Sequence, residues 1–248
     1  MKNCIAVLTR GYPDLAGYSK IIKRNVHISA QLIDKDIDCL IFHEGNITSE
    51  HQTHIQAQTP ELRLIFVNVK DGHSFRKEKE SIPHDEEGRM YGGMGYRHMC
   101  SFWFSEFLHF TQEYDKMLRI DEDCYIQFNV DAQFKTLDSY LFVCGRWESD
   151  DYASVTRGLL DISIQKFKCA PHILFGPYTN VTGFDLAKIR LNPTLKEYMD
   201  LINESGGIYR CRWGDLPLWG EAILHIFGRE TVKVDVLHYH HESHNLFL

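Results

Sequence analysis

The chain has 248 residues, 44% apolar and 25% charged, ordinary values for a soluble globular protein and enough for one large α/β domain or two small ones. Those figures exclude intrinsic disorder, a collagen-like repeat and a disulfide miniprotein. A net charge of −7 argues against a broad nucleic-acid or anionic-membrane surface, while aromatics at 12% suit a site that stacks rings or sugars.

In chain order, the apolar run from Cys4 to Leu8 predicts a first buried strand; it is too short for a signal peptide, and Arg10 follows at once. Ile21, Ile22, Val26, Ile28 and Leu32 are irregularly spaced but can cover one face of a helix, after which Cys39 to Phe42 and Leu64 to Val69 read as strands. Strand, helix and strand in succession point to a βαβ unit and a mostly parallel sheet. Phe75 to Arg89 is charged and punctuated by Pro83 and Gly88, a surface loop. Tyr96 to Tyr114 predicts a helix with Met99, Trp103, Phe107 and Phe110 on one apolar face. Met117 to Ile120 and Leu141 to Cys144 read as further strands. No linker or repeat interrupts the chain, so residues 1–248 are read as one domain. Seven cysteines without a CxxC pair predict reduced, mostly buried thiols, and no stretch approaches the roughly 18 apolar residues of a membrane span. The expectation is a cytoplasmic chain without an integral membrane segment and without a nucleic-acid partner.

Four segments carry potential chemistry. Tyr91-Gly92-Gly93-Met94-Gly95 is faintly dinucleotide-like, but His98 stands where the last glycine belongs. In Arg119-Ile120-Asp121-Glu122-Asp123, three consecutive acids are costly inside a core unless they leave the sheet at a strand end. Strand alternation would put Asp121 and Asp123 on one side, suiting Mg²⁺ or Mn²⁺ with a diphosphate, and Glu122 on the other; the alternative is a solvated acidic turn. Between Gly206 and Pro217, Arg210, Arg212, Trp213 and Asp215 make either a ligand loop, where Arg clamps phosphate and Asp accepts from sugar hydroxyls, or a capped helix connection with surface ion pairs. The run His238-Tyr239-His240-His241-Glu242-Ser243-His244 is either a source of imidazole ligands or an exposed tail.

Together these segments resemble the fungal α-1,2-mannosyltransferases of the Kre2/Mnt1 type (glycosyltransferase family 15), from about Cys4 to His241. Tyr96-Arg97-His98-Met99-Cys100 looks like the family's YRHMC segment, Arg119 to Asp123 is similar to its RVEPD metal motif, and Gly206-Gly207-Ile208-Tyr209 with Arg212-Trp213-Gly214-Asp215-Leu216-Pro217 resembles GGFY followed by RWGDAP. Asp235 to His240 stands where the family has DIGYxH, and Val7-Leu8-Thr9-Arg10 resembles its first strand and its arginine. The resemblance implies a single-domain GT-A fold, a mixed and mostly parallel sheet flanked by helices. It also implies a GDP-mannose donor, Mn²⁺, a glycan or other hydroxyl acceptor, and retention of configuration. Carried over by residue, Asp121 and His240 stand at metal ligands, with Asp123 as the second acid. Arg10, Arg119 and Arg212 stand near the nucleotide or diphosphate, and Tyr96 and Asp215 near the donor sugar or acceptor.

Two departures stand out. The family's EPD becomes Asp121-Glu122-Asp123, and Thr182 stands where the segment NFEIGDLNFWR has a Glu proposed as nucleophile. A neutral Thr cannot supply a carboxylate's charge to an oxocarbenium-like centre. Three accounts remain open: a front-face reaction in which the leaving diphosphate takes the acceptor proton, Asp185 acting in place of the Glu, or donor binding without turnover. The last describes a catalytically weak or inactive nucleotide-sugar-binding protein. A metal-dependent phosphoester hydrolase is a further alternative.

Overall fold

The structure is a computed structural model that describes residues 2–34, 36–70, 74–84, 93–149, 153–235, 237–244 and 246–247. Tyr91 and Gly92 of the glycine motif, the end of the charged loop and Val236 lie outside the described residues. In chain order the elements are β1 (Asn3–Leu8), α1 (Ser19–Gln31), β2 (Asp38–His43), α2 (Ser49–Gln58), β3 (Arg63–Asn68), α3 (Met94–Ser101), α4 (Phe107–Phe110), β4 (Lys116–Ile120), β5 (Cys124–Ile126) and α5 (Val130–Thr136). There follow β6 (Phe142–Cys144), β7 (Trp147–Ser149), α6 (Ala153–Thr156), α7 (Leu159–Phe167), β8 (Phe175–Pro177), β9 (Val181–Asp185), α8 (Leu186–Arg190) and α9 (Pro193–Ser205). The chain ends with α10 (Gly207–Cys211), α11 (Asp215–Ala222), β10 (Val232–Val234), β11 (Tyr239–His241) and β12 (Leu246–Phe247).

Seven strands form one sheet in the order β10-β6-β9-β4-β1-β2-β3. β9 runs antiparallel to both its neighbours and the other pairings are parallel. β5, β11 and β12 make a small second sheet beyond the end of β4. The first four strands form where the apolar runs predict them, because Cys4 to Val7 and Cys39 to Phe42 are buried on both faces, as a parallel sheet covered by helices requires.

α1 departs from a purely apolar face. It buries Ile21, Arg24, Asn25 and Ile28, while Val26 is 49% exposed. Arg24 donates from Nε to the Ile120 carbonyl at 2.7 Å and from Nη2 to the Ala6 carbonyl at 3.2 Å. The carbonyls where β1 and β4 end need donors, and a buried cation supplies them. Desolvation pushes the Arg24 guanidinium down to about 10.

The predicted long helix runs from Met94 to Phe110, with a π-helical turn at Phe102–Glu106 between α3 and α4. The widened turn lets Phe102, Trp103 and Phe104 all pack inward, and Trp219 Nε1 donates to the Trp103 carbonyl at 2.9 Å. α9 starts at an Asn192 cap followed by Pro193 and ends at Gly206, whose φ of 66° is one that favours glycine. α11 lies almost backbone to backbone on β8: a Cβ at Gly220 would sit 1.7 Å from the Phe175 carbonyl oxygen. All seven cysteines are free and six of them are buried. Among the described residues, no helix is long and apolar enough to cross a membrane.

Candidate active site

The acidic run leaves the sheet as β4 ends. Asp121 N still donates to the Asn180 carbonyl at 2.9 Å, but Cys124 N donates to the Asp121 carbonyl at 3.1 Å, closing a tight turn. Alternation therefore stops at Asp121, and the three acids go three ways. This corrects the expectation that Asp121 and Asp123 share one side of a strand.

Asp121 folds back on Arg119, whose Nε and Nη2 donate to its two oxygens at 2.8 and 3.0 Å. Arg119 is 3% exposed, and its Nη1 donates at 2.5 Å to Asp215, the first residue of α11. Its guanidinium lies 4.5 Å from the Trp103 ring. Burial works against the Arg119 charge, but the two carboxylates outweigh it and raise its pKa. Burial raises the Asp121 carboxyl, with Arg119 opposing.

Glu122 turns toward the end of β1. It accepts from the Thr9 hydroxyl, and from the Tyr12 hydroxyl at 3.1 Å. Together with Thr9, Arg10, Glu44, Tyr96 and Met99 it lines a cleft of about 280 Å³. Arg10 is exposed at its rim, 5.2 Å from the Tyr12 ring. Tyr96 carries the Arg212 guanidinium over its ring at 4.2 Å, and Arg212 takes a left-handed φ of 65° where α10 ends.

Asp123 reaches the small sheet. It accepts from the Ser243 hydroxyl, and its Oδ2 lies 3.4 Å from His241 Nε2. Burial acts to raise the Asp123 carboxyl, but the His241 and Ser243 hydrogen bonds outweigh it and hold it well below the usual carboxylate range. His241 Nδ1 lies 2.8 Å from Asn180 Nδ2 and 3.0 Å from the Tyr178 hydroxyl. Two donor atoms 3.4 Å apart are close to the separation of about 3 Å for adjacent ligands on a six-coordinate ion. An oxygen and an imidazole nitrogen are a donor set that Mn²⁺ accepts. For Nε2 to bind a metal the ring proton moves to Nδ1, where the Tyr178 hydroxyl can accept it once the Asn180 amide, whose Nδ2 lies 2.8 Å from Nδ1, turns its oxygen to that side.

In the histidine run it is His241, not the expected His240, that faces the acidic turn. β11 pairs antiparallel with β5, so alternation puts Tyr239 and His241 on one face and His240 on the other, with its ring 6.0 Å from that of Tyr125. The donor cluster is Asp123, Cys124 and His241, without His240 or Asp121.

Thr182 is fully buried in β9, directly across from Arg119, and its hydroxyl donates to the Tyr178 carbonyl at 3.2 Å. Asp185 is removed from the site. It pairs in register with Lys116 at the opposite end of β4, where it caps α8 by accepting from Lys188 N at 3.0 Å and ion-pairs with Lys188 Nζ at 2.7 Å. The three residue steps from Thr182 to Asp185 span about 10 Å of strand, which no side-chain rotation recovers.

The YRHMC segment supports the site from behind. Arg97 Nη1 donates to the Tyr209 carbonyl at 2.7 Å, and His98 Nδ1 lies 3.0 Å from the Tyr209 hydroxyl. Trp213 Nε1 donates to the Arg157 carbonyl at 2.8 Å. So Arg10, Tyr96, Arg119, Asp121, Arg212 and Asp215 converge, Asp123 adjoins them through the turn, and Asp185 and His240 do not join. Glu122, Asn180, Tyr178 and His241 are members that motif reading passes over.

No protein-family model matches the sequence. The chain is 28% identical over 184 residues to the glycolipid 2-alpha-mannosyltransferase of Saccharomyces cerevisiae, an alignment covering 63% of this chain and 41% of the yeast protein. It therefore spans about two fifths of that relative's length. In three dimensions it is similar to the mannosyltransferase Ktr4p of S. cerevisiae, with a TM-score of 0.76 at 20% identity over 97% of this chain and 70% of that one. It is also similar to core-mannan synthase A of Aspergillus fumigatus in its Mn/GDP form, with a TM-score of 0.75 at 15% identity over 98% and 75% of the two chains. The structural likeness and the mixed seven-stranded sheet establish the GT-A fold, and the sequence is homologous to the mannosyltransferases of the Kre2/Mnt1 type.

Proposed function

We propose that this chain is a retaining glycosyltransferase that moves mannose from GDP-mannose to a hydroxyl of a glycan or similar acceptor, with Mn²⁺ as cofactor. The observation that carries the reading is the Asp123–His241 pair, held by Ser243, Asn180 and Tyr178 beside the latched Arg119. Homology to mannosyltransferases and likeness to a Mn/GDP form add support.

Asp123 and His241 would hold the metal, with their partners fixing the orientation of both. Bound there, Mn²⁺ would supply positive charge to offset the charge growing on the leaving diphosphate. Arg10 at the rim offers a guanidinium to the same phosphates. Arg119 is spent on Asp121 and Asp215, so its task is to fix those carboxylates. Asp215 has a second oxygen with which to accept from a sugar hydroxyl.

With Thr182 bonded to a main-chain carbonyl and Asp185 capping α8, the front-face route is the one these residues favour. The bond from the anomeric carbon to the phosphate oxygen breaks, the acceptor oxygen bonds to that carbon on the same face, and the acceptor proton passes to the leaving phosphate. The test is GDP release from GDP-mannose in the presence of Mn²⁺ and an α-mannoside. Metal-dependent release with an α-linked product supports the reading; hydrolysis of simple phosphoesters instead would overturn it. The buried, neutral Thr182 favours one second reading, donor binding without turnover, for which GDP would stabilise the protein in Mn²⁺ while no mannose is released.

A further inference from the structure

The loop after α7 and the far end of α11 bring four ligating side chains together away from the acidic turn. Cys169, His172 and His225 each offer one ligand atom, and these atoms lie within 4.8 Å of one another. Glu221 stands among them, with Oε1 2.9 Å from His172 Nε2 and Oε2 3.6 Å from His225 Nε2. Its side chain is 1% exposed, against the aromatic core around Trp219.

The hydrogen bonding is incomplete. Glu221 Oε2 and His225 Nε2 are both buried with no hydrogen-bond partner. A buried carboxylate with an idle oxygen, beside an imidazole with an idle nitrogen, is costly unless a cation completes it. A charged His172 would answer only Oε1.

The local structure is built to converge. Lys168 takes a left-handed φ of 56° at the end of α7 and turns the chain so that Cys169-x-x-His172 crosses α11. His172 Nδ1 lies 3.0 Å from the Ala170 carbonyl, so Nδ1–H donates there, and Nε2, 2.9 Å from Glu221 Oε1, is the nitrogen that faces the cluster and would give up its proton to a metal. Glu221 and His225 are four residues apart on one helix face. His225 falls in a π-helical turn at Ile223–Phe227 and stacks on Phe167 with ring centroids 4.7 Å apart. Such turns re-aim a side chain and gather at functional positions.

We propose that Cys169, His172, Glu221 and His225 form a second metal site, structural in role, that takes Zn²⁺ and clips the loop after α7 onto α11. One soft thiolate, two borderline imidazoles and one hard carboxylate give a four-donor set weighted toward S and N, which favours Zn²⁺ over Mn²⁺. Ligand atoms on a tetrahedral Zn²⁺ lie about 3.3–3.8 Å apart, so the Glu221 separations of 2.9 and 3.6 Å are already near that range, and the longer ones, within 4.8 Å, would close by up to about 1 Å on binding. Cys169 gives its proton to solvent as the ion binds.

The test uses the full chain without a polyhistidine tag, carried through gel filtration after exposure to Zn²⁺, with metal measured by mass spectrometry. The expected result is one equivalent of Zn²⁺ retained by the native chain and by Asp123→Ala and His241→Ala. Cys169→Ser and His225→Gln should weaken binding by more than the roughly 10- to 100-fold typical of losing an outer-shell partner. Replacing Zn²⁺ with Co²⁺ should give a thiolate charge-transfer band, absent in Cys169→Ser. Cys169 is the one cysteine that is not buried, so its alkylation in the unmutated protein is a readout independent of variant folding. Zn²⁺ should suppress it at least about tenfold, as expected for a ligating thiolate. No retained Zn²⁺ with unchanged alkylation would overturn the site, as would Zn²⁺ that survives Cys169→Ser and disappears in His241→Ala.

Discussion

The two ends of β4 are both rich in charge and are built for different purposes. At the amino end, Lys116 pairs with Asp138 and donates to the Phe134 carbonyl at 3.0 Å, Asp185 caps α8, and Asp38 takes the Tyr114 hydroxyl at 2.7 Å with Lys2 and Arg63 alongside. Each of these groups serves the main chain or pairs with a neighbour. At the carboxyl end, Arg119, Asp121, Asp123, Asp215 and His241 come from three separate stretches of chain and pair as Arg119 with Asp121 and Asp215, and His241 with Asp123, next to Glu122, which lines the cleft. An acid at one end of the strand stops a helix from fraying; at the other it fixes side chains from distant stretches of chain against one another.

The sharpest way to break this comparison is to remove one cation from each end. Arg119→Met leaves the buried Asp215 and the half-buried Asp121 without their counter-charge, and breaking such a buried pair costs about 3–5 kcal/mol. Lys116→Met leaves Asp138, 58% exposed, to return to water, so the loss should be about 1 kcal/mol. Urea unfolding of both variants measures the difference. Equal losses would mean that the carboxyl end is only another surface pair network.

A second substitution pair sharpens the assignment within the carboxyl end. With Mn²⁺ present, GDP at 100 times its dissociation constant should stabilise the chain by roughly 3 kcal/mol. His241→Ala should abolish that metal-dependent gain in a thermal-shift titration and His240→Ala should keep it. The reverse pattern would return the ligand to the other face of β11.

These two histidines also show where sequence reading reaches its limit. The run from His238 to His244 announces imidazole ligands, but which one faces Asp123 depends on the register of β11 against β5, a long-range pairing that a one-residue slip inverts. The central strands were legible because parallel strands buried on both faces appear as bare apolar runs. The long helix was legible in position, although not its π-helical turn. Arg24 and Asn25 were not legible as core, since a cation on a sheet-facing position looks like the solvent face until the carbonyls of Ala6 and Ile120 are seen beneath it. The acidic triplet reads in sequence as either a metal site or an acidic turn, and the structure shows that it makes a turn, with Glu122 at the cleft and Asp121 on Arg119. The mannosyltransferase likeness located most of the cluster. It also drew attention to Asp185, whose neighbour in sequence, Thr182, faces Arg119 while Asp185 itself lies at the far end.

Asp185→Ala tests that separation with a smaller effect. Loss of a helix N-cap costs about 1 kcal/mol, read by thermal unfolding, while Mn²⁺-dependent GDP binding and GDP release per folded molecule should stay within about twofold. A variant that folds but has lost turnover would put Asp185 back in the chemistry and end the structural account of the amino end.

The smallest expected effect lies in acid. Both ends hold a carboxyl below its usual value: at one end Asp138 through hydrogen bonding to Lys116, at the other Asp123, where hydrogen bonds from His241 and Ser243 outweigh burial. A lowered folded-state pKa means the unfolded chain binds more protons between the two values. The stability is therefore fully present above the unfolded value, about 3.9 for Asp, and is lost as pH falls through the folded one. Asp138 is solvated, so its pairing is screened, whereas Asp123 is 14% exposed and makes its bonds in a less polar setting. Asp123→Asn should then flatten the fall of the urea midpoint between about pH 5 and pH 2 more than Asp138→Asn does. If the two variants flatten it equally, Asp123 is no more tightly held than a surface acid, and the case for a prepared ligand at the carboxyl end rests on His241 alone.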